Sequence, residues 1–313
     1  MKHAFLLSGE NIDIAKEEII SLFCVKEYKL EKNILIAYAT KPDLKRLSYT
    51  HTVYEYLFSS KKKDFLIGVN RFNWEAVFSE NFCVRIHGKS EFMEKELAGY
   101  IWRNLKNPKV NLTNPKTRFD FYFIGRNALC LKFLMDNDKA FLKRRAHLRP
   151  KLHPSSLNPR LARAMINLTG IKKGKLYDPF CGTGGILIEG GLLGYEIIGN
   201  DIEEDMILRT KENLEHFGIN SFNIAKKDSN HITEKSNLIV TDLPYGKSTK
   251  ALNLKKLYFN FLNSSVGTTK AMAVGFPDFA NGKKIISKTK WKIKHFFKVY
   301  AHKNLTRHIF ILG

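Results

Sequence analysis

Four aspartates, Asp178, Asp201, Asp228 and Asp242, each follow a short apolar run in the second half of the chain. Asp178 opens the stretch "DPFCGTGG". There Gly182, Gly184 and Gly185 let the backbone approach a ligand, and a following helix would offer free N–H groups to an anion. Asp201 stands 23 residues further on, the separation at which an acid holds ribose hydroxyls in nucleotide-binding α/β folds. Asp228 and Asp242 repeat the placement twice more. The loop lacks the last glycine of GxGxxG and does not run into the GK[ST] of a Walker motif. So many carboxylates would repel phosphates. They suit a cofactor with ribose hydroxyls, an adenine amine, an ammonium group and one carboxylate for the helix terminus. S-adenosylmethionine has all four. Cys181 reads as a small loop residue and not as a nucleophile, since no base is evidently set to activate it.

Asp242 begins "DLPYG", which closes the apolar run "NLIVT". "DLPY" resembles the [D/N]-P-P-[Y/F] motif of methyltransferases that modify an amino nitrogen conjugated to a flat ring. Such a nitrogen is a poor nucleophile because its lone pair is delocalised. The Asp242 carboxylate and a backbone carbonyl, of Leu243 or Pro244, can accept its two N–H bonds. They would thereby orient the lone pair for in-line displacement. Tyr245 would stack on the ring, and the target base must leave its own stack first.

These residues need a parallel sheet to bring them together. From residue 170 strand and helix patterns alternate. "GKLYDPF", "YEIIGND", "FNIAKKD", "SNLIVTDLP" and "KAMAVGFP" read as strands. "GGILIEGGLLG", "EEDMILRTKENLEHFG" and "KLYFNFLNSSV" read as helices, and "KIKHFFKVYAH" with "TRHIFILG" as a final antiparallel pair. That order implies helices on both faces of a sheet whose strand ends carry the ligands. Upstream, the spacing predicts a strand at "KHAFLLSG", a helix at "NIDIAKEEIISLF", a strand at "NILIAYAT" and a second helix after Pro42, through "VYEYLF". This β-α-β-α order suggests a small α+β domain ending near the lysine run Lys61–Lys63. Strands are expected at "NFCVRIHG", "KVNLTN", "TRFDFYFIG" and "RNALCLKFLM", with a helix at "SEFMEKELAGYIWRNL". An extended linker should precede a helix over Pro159–Leu168, with Pro159 near its first position.

Charge supplies the strongest global signal: 52 basic against 30 acidic residues, a formal net charge of +22. Residues 139–175 hold 11 basic residues and no acid, and residues 246–313 hold 14 basic residues and one acid, Asp278. Such segregation fits a polyanion partner. No apolar run approaches a membrane span, and the basic stretches form no clean amphipathic helix. Four scattered cysteines form no CxxC pair, so no metal site is expected and a reducing cytoplasm is the default.

Taken together, "RRAHLRPKLHPSSLNPRLARAMINLTG" and "YDPFCGTGGILIEG" resemble the archaeal and eukaryotic tRNA guanine-10 N2-methyltransferase family, and the likeness extends across the chain. "FLLSGEN" matches that family's start. "VRIHG" and "FYFIGRNALCLKF" resemble a THUMP domain, an RNA-binding module. The resemblance implies a ferredoxin-like domain over residues 1–65, a THUMP domain over 66–145 and a linker with its lead-in helix over 146–169. Residues 170–313 would form an α/β Rossmann-like class I methyltransferase domain with a mostly parallel seven-stranded sheet. It further implies that Asp178, Cys181, Gly182, Thr183, Gly184, Gly185, Asp201, Ile202 and Asp228 hold S-adenosylmethionine. Asp242, Pro244 and Tyr245 would hold the guanine amine. Arg144, Arg145, Arg149 and Lys151 would line a tRNA phosphate path, while Arg163 could equally be a solvated helix residue. The family allows a small zinc-binding activator subunit, and the THUMP likeness argues against DNA. Leu243 stands where the family has the first of two prolines; related guanine-N2 enzymes carry "NLPYG". The alternatives are another guanosine of tRNA or ribosomal RNA, and an RNA-binding protein with a vestigial methyltransferase domain. The intact aspartate set argues against the last.

Overall fold

The computed structural model describes residues 1–40, 42–137, 140–153, 156–245, 251–302 and 305–313. The chain forms two units. Residues 1–10, 25–44 and 50–137 make the first; residues 11–24, 45–49 and 138–313 make the second.

Strand β1 (Lys2–Leu7) opens the first unit, and helix α1 (Ile12–Phe23) leaves it for the second. Strands β2 (Tyr28–Glu31), β3 (Ile34–Tyr38), β4 (Thr50–Lys61), β5 (Phe82–Gly88), β6 (Thr117–Ile124) and β7 (Asn127–Asp136) complete a seven-stranded sheet. Its order is β2-β3-β1-β4-β7-β6-β5, with only β5 and β6 parallel among its pairs. Helices α2 (Phe65–Arg71) and α3 (Glu94–Trp102) bury Phe65, Val69, Leu97 and Ile101 in an aromatic core with Trp74, Phe82, Phe119 and Phe121.

Two expectations fail here. The helix after Pro42 does not form; Thr50–Lys61 is the long central strand β4, paired with β1 on one side and β7 on the other. Its sequence "THTVYEYLF" is rich in β-branched and aromatic residues, which pack well on a pleated surface with partners on both sides. Strand β4 therefore joins residues expected to lie in separate domains, 1–65 and 66–145, into one sheet, and Tyr54 bonds Tyr122 through their hydroxyls at 2.9 Å. "KVNLTN" forms no strand, only an isolated bridge from Val110 to Phe82. Helix α2 follows the lysine run and had no sequence expectation.

In the second unit α4 (Pro159–Leu168) begins as expected. Asn158 caps it by accepting from Arg160 N at 2.9 Å, and Pro159 takes the first turn, where no N–H is needed. Helix α1 packs on α4, and its buried Glu18 carboxylate accepts from Ser48 N, Ser48 Oγ, Tyr49 N and Asn167 Nδ2. The sheet then begins in its middle. Strand β8 (Lys175–Asp178), α5 (Gly185–Leu192), β9 (Glu196–Asp201), α6 (Glu204–His216) and β10 (Phe222–Lys226) build outward to one edge. The chain returns through β11 (Leu238–Asp242), α7 (Ala251–Ser264), β12 (Ala271–Pro277) and α8 (Gly282–Ile286). It closes with β13 (Ile293–His302) and β14 (Leu305–Leu312). The order is β10-β9-β8-β11-β12-β14-β13, with the first five parallel and β14 antiparallel to both of its neighbours, β12 and β13. This is the α/β Rossmann-like sheet of seven strands that the alternating pattern required. Its direction of growth reverses between β8 and β11, which opens a crevice at their carboxyl ends. Among the described residues no helix is long and apolar enough to cross a membrane.

Candidate active site

The carboxyl ends of β8, β9 and β11 deliver Asp178, Asp201 and Asp242 to one edge of the sheet. Asp178 is buried, accepting from Thr241 Oγ1 at 2.6 Å and Phe180 N at 3.1 Å. Burial pushes its carboxyl up to about 7 against these hydrogen bonds, and the negative charges of Asp201 and Asp242 push the same way. The three acids therefore share one electrostatic environment, which a cation would relieve. Asp201 braces the glycine loop by accepting from Gly182 N at 2.9 Å, and it starts α6 by accepting from Glu203 N at 3.1 Å. Ile202 beside it is 64% exposed, an apolar face left open to solvent. Asp228 lies exposed beyond β10 and is held within its own turn by Asn230, at 2.9 Å from both its backbone and side-chain nitrogens.

The loop from Cys181 to Gly184 is fixed from all sides. Cys181 N donates to Asn200 O at 2.8 Å, Thr210 Oγ1 donates to Gly182 O at 2.7 Å, and Asn213 Nδ2 donates to Thr183 O at 2.9 Å. Gly184 sits at φ 80°, and a Cβ there would come within 3.1 Å of the Thr210 methyl. A side chain would thus meet both left-handed strain and crowding. Thr183 is buried and its hydroxyl lies 3.0 Å from that of Ser156. Burial pushes the Cys181 thiol far above its ordinary range, with Asp178 and Asp201 adding to the shift. The inert, loop-filling reading of Cys181 follows.

At β11 the structure adds a residue that sequence reasoning missed. Arg307, near the start of β14, donates from Nε to Asp242 Oδ2 at 3.0 Å and to Tyr245 Oη at 2.7 Å. Tyr245 Oη in turn lies 2.5 Å from both carboxylate oxygens of Asp242 and donates to them. Burial raises the Asp242 carboxyl pKa, and Arg307 and Tyr245 pull it back only in part. The oxygens expected to receive an amine are therefore engaged by Tyr245, whose ring was expected to stack on a base. Gly275 on β12 makes room for this arrangement, since a Cβ there would lie 2.3 Å from Asp242 Oδ1. The sequence signal for Arg307 was a cation just ahead of the buried apolar run "IFIL".

The rest of "DLPYG" is anchored to the core. Leu243 is 1% exposed and belongs to the cluster of Tyr177, Ile239, Tyr258, Phe276 and Phe310. Its N–H donates to Gly275 O at 2.9 Å. An apolar side chain is what this position requires, worth roughly 1.5–3 kcal/mol of burial, and that accounts for a leucine in place of proline. Pro244 O accepts from the Tyr258 hydroxyl. The residues from Gly246 to Lys250 lie outside the described residues.

The basic linker departs most from expectation. Arg144 is buried and grips Glu189 of α5 with two bonds, Nε to Oε1 at 2.6 Å and Nη2 to Oε2 at 3.1 Å. Arg163 of α4 is also buried, with Nε 2.8 Å from Glu189 Oε2 and Nη1 bonded to Lys45 O. Arg149 is 4% exposed. None of these three can line a surface phosphate path. A carboxylate buried at 0% exposure on an otherwise apolar helix draws them inward, because an unpaired buried charge is strongly unfavourable. Lys151 is tied through its backbone to Asn213 and through Nζ to Glu212 at 3.4 Å. Only Arg145 of the expected four is fully on the surface.

This fold and loop define a class I methyltransferase. Residues 146–307 match the family model described as "RMKL-like, methyltransferase domain", and residues 8–212 match one described as "DNA methylase". The chain is 34% identical over 282 residues to the tRNA (guanine(10)-N2)-dimethyltransferase of Methanothermobacter thermautotrophicus, covering 86% of this chain and 83% of the relative. It is 31% identical to the enzyme of the same name from Methanocaldococcus jannaschii, over 98% of each chain. Among solved structures, TrmN from Thermus thermophilus superposes with a TM-score of 0.52 at 18% identity, covering 100% of this chain and 99% of that one. The chain belongs to the tRNA (guanine(10)-N2)-dimethyltransferase family.

Proposed function

We propose that this chain transfers methyl groups from S-adenosylmethionine to the N2 amine of guanosine 10 in tRNA. The carrying observation is the convergence of Asp178, Asp201 and Asp242 on a glycine loop that opens a helix. Those groups fit the cofactor: Asp178 is a buried carboxyl in search of a cation, Asp201 meets ribose hydroxyls, and Ile202 lies against adenine with Asp228 near its amine. Bound there, the cofactor supplies an electrophilic methyl group. Everything else falls to side chains of this protein.

Asp242 accepts one N–H of the guanine amine and the carbonyl of Leu243 or Pro244 the other. Arg307 holds the carboxylate in place and tempers its charge. The hydroxyl of Tyr245 yields the Asp242 oxygens to the amine, and the freed ring covers the base. The first unit grips the tRNA away from the target, the task expected of the ferredoxin-like and THUMP segments. Exposed cations such as Arg145 meet phosphates. Leu243 being a core residue removes the main reason to favour a different nucleotide.

Incubation of the purified chain with labelled S-adenosylmethionine and an unmodified tRNA transcript tests the reading, with duplex DNA as control acceptor. Label in N2-methylguanosine and N2,N2-dimethylguanosine from the tRNA is expected. Label in DNA alone, or in neither, would refute it. Turnover by the chain alone would show that no activator subunit is required.

A further inference from the structure

The carboxyl edge of the second sheet carries two aromatic rings that no core absorbs. Phe279 is 61% exposed and Tyr300 is 72% exposed. Phe279 sits in the 3₁₀ turn Asp278–Ala280 that follows β12. Pro277 before it and Ala280 after it are buried, and Phe279 N donates to Asp278 Oδ1 at 2.9 Å. The backbone is thus pinned on both sides, and only the ring projects. Tyr300 stands on the edge strand β13, opposite Thr306. Strand pairing sets both rings beside Asp242. Arg307, which donates to Asp242, lies opposite Pro277 on β12 and opposite Val299 on β13. The rings therefore leave the sheet on either side of β14, whose two neighbours lie roughly 10 Å apart.

Their surroundings are cationic. Phe296, Lys298 and Tyr300 share one face of β13. Lys283 of α8 lies 4.4 Å from the centre of the Phe296 ring, and that ring packs edge-on against His308, which stands opposite Lys298. Burial lowers the pKa of His308, and Lys298 and Lys283 push the same way against Asp278. Asp278 is the single acid in residues 246–313, and Phe279 N already engages it. Lys283, Lys284 and Lys298 are exposed. A lone exposed ring is ordinary on a protein surface. Two rings interleaved with lysines, beside a site whose target base must leave its stack, make a platform for bases and phosphates. A protein partner fits worse, because lysine is depleted from protein–protein interfaces.

On the methyltransferase reading above, we propose that Phe279 and Tyr300 stack on the nucleotides flanking the target guanosine and hold the RNA open once that base has left the helix. Lys283, Lys284 and Lys298 meet the adjoining phosphates. The patch thereby favours the opened strand over the closed helix. Its contribution is largest where the target base is paired, because opening then costs most.

Single-turnover methyl transfer by the double variant Phe279→Ala, Tyr300→Ala tests this on two tRNA transcripts. One keeps the target guanosine paired; in the other its partner nucleotide is changed to leave it unpaired. At saturating enzyme the rate reports how much of the bound tRNA has its base out. The double variant is expected to lose about tenfold or more on the paired transcript and less than about threefold on the unpaired one. Thermal midpoint and calorimetric affinity for S-adenosylhomocysteine should stay at wild-type values, since both rings are exposed. Phe279→Trp, which keeps a stacking ring, should retain most of the rate. Equal losses on the two transcripts, or no loss on either, would overturn the proposal. So would wild-type rates accompanied by lost association with a second protein, which would make the patch a protein interface. If the wild-type protein methylates neither transcript, the methyltransferase reading itself fails; methylation that the double variant leaves intact sinks the platform alone.

Discussion

Two buried arginine sites in the second unit are built to opposite charge balances. Around α5, three guanidinium groups surround one carboxylate, Glu189, and among the described residues the Nη atoms of Arg149 meet no acceptor. At the end of β11, one guanidinium, Arg307, faces one carboxylate, and a tyrosine hydroxyl competes for the same oxygens. The first site is short of an anion and the second is ready to exchange one donor for another. Both lie in stretches whose sequence suggests a single basic surface. Arginine and lysine are not interchangeable here: the arginines of the linker turn inward, where a planar fork can pair two oxygens, and exposed lysines carry much of the surface charge.

Breaking each pairing in turn tests the contrast. Glu189→Ala should be the most damaging, leaving Arg144 and Arg163 buried without a carboxylate and costing about 3–5 kcal/mol in urea unfolding. A cost near that of a surface substitution would contradict the pairing. Asp242→Asn keeps the shape beside Arg307 but removes the carboxylate. Single-turnover methyl transfer should fall by roughly 10²–10³-fold, with tRNA affinity in filter binding little changed. An intact rate would remove Asp242 from the chemistry.

The aspartate cluster also sets a pH dependence. Asp178 is raised to about 7 without a ligand, so its proton stabilises the folded state at acid pH, and that contribution is lost as pH rises through about 7. Binding of the cofactor's ammonium requires the ionised form. Cofactor affinity should therefore increase with pH from 5.5 to about 7 and then level off, with protons released in calorimetry below 7. The neighbours that bear on this group are Thr241, Phe180 N, Asp201 and Asp242. An affinity flat across that range would separate Asp178 from the ammonium.

Much of the second unit was legible because its signals are local. Asn158 and Pro159 mark a helix start, and each aspartate that ends an apolar run marks a strand end. The β4 region was misread because "VYEYLF" suits a helix or a strand until its neighbours are known, and those neighbours, β1 and β7, lie far away in sequence. The same distance hid the arginine roles. Arg144 meets Glu189 45 residues on, and Arg307 meets Asp242 65 residues back. No spacing rule encodes such pairs. A lone acid in the apolar run "GILIEGGLLG" was the visible hint that cations would be drawn inward.

The smaller effects sharpen the picture of the substrate side. Tyr245→Phe removes the hydroxyl that occupies Asp242 while keeping a stacking ring. Its methylation rate at saturating tRNA should change less than about tenfold, whereas Tyr245→Ala should lose the roughly 1–3 kcal/mol of base stacking. Equal losses in both would make the hydroxyl, not the ring, the working part. Smallest of all, Arg145→Ala should leave the thermal midpoint unmoved and reduce the salt slope of tRNA binding by about 1. An unchanged slope would take Arg145 off the phosphate path.

On the proposed function, the acids at β8, β9 and β11 and the "DLPYG" loop direct methyl groups to one amine of tRNA. Mass spectrometry of nuclease fragments from tRNA methylated by the purified chain tests it most directly. One and two added methyl groups confined to N2 of guanosine 10 are expected, and none after Asp242→Asn. Methyl groups on another nucleotide, or an equal yield from the variant, would contradict it.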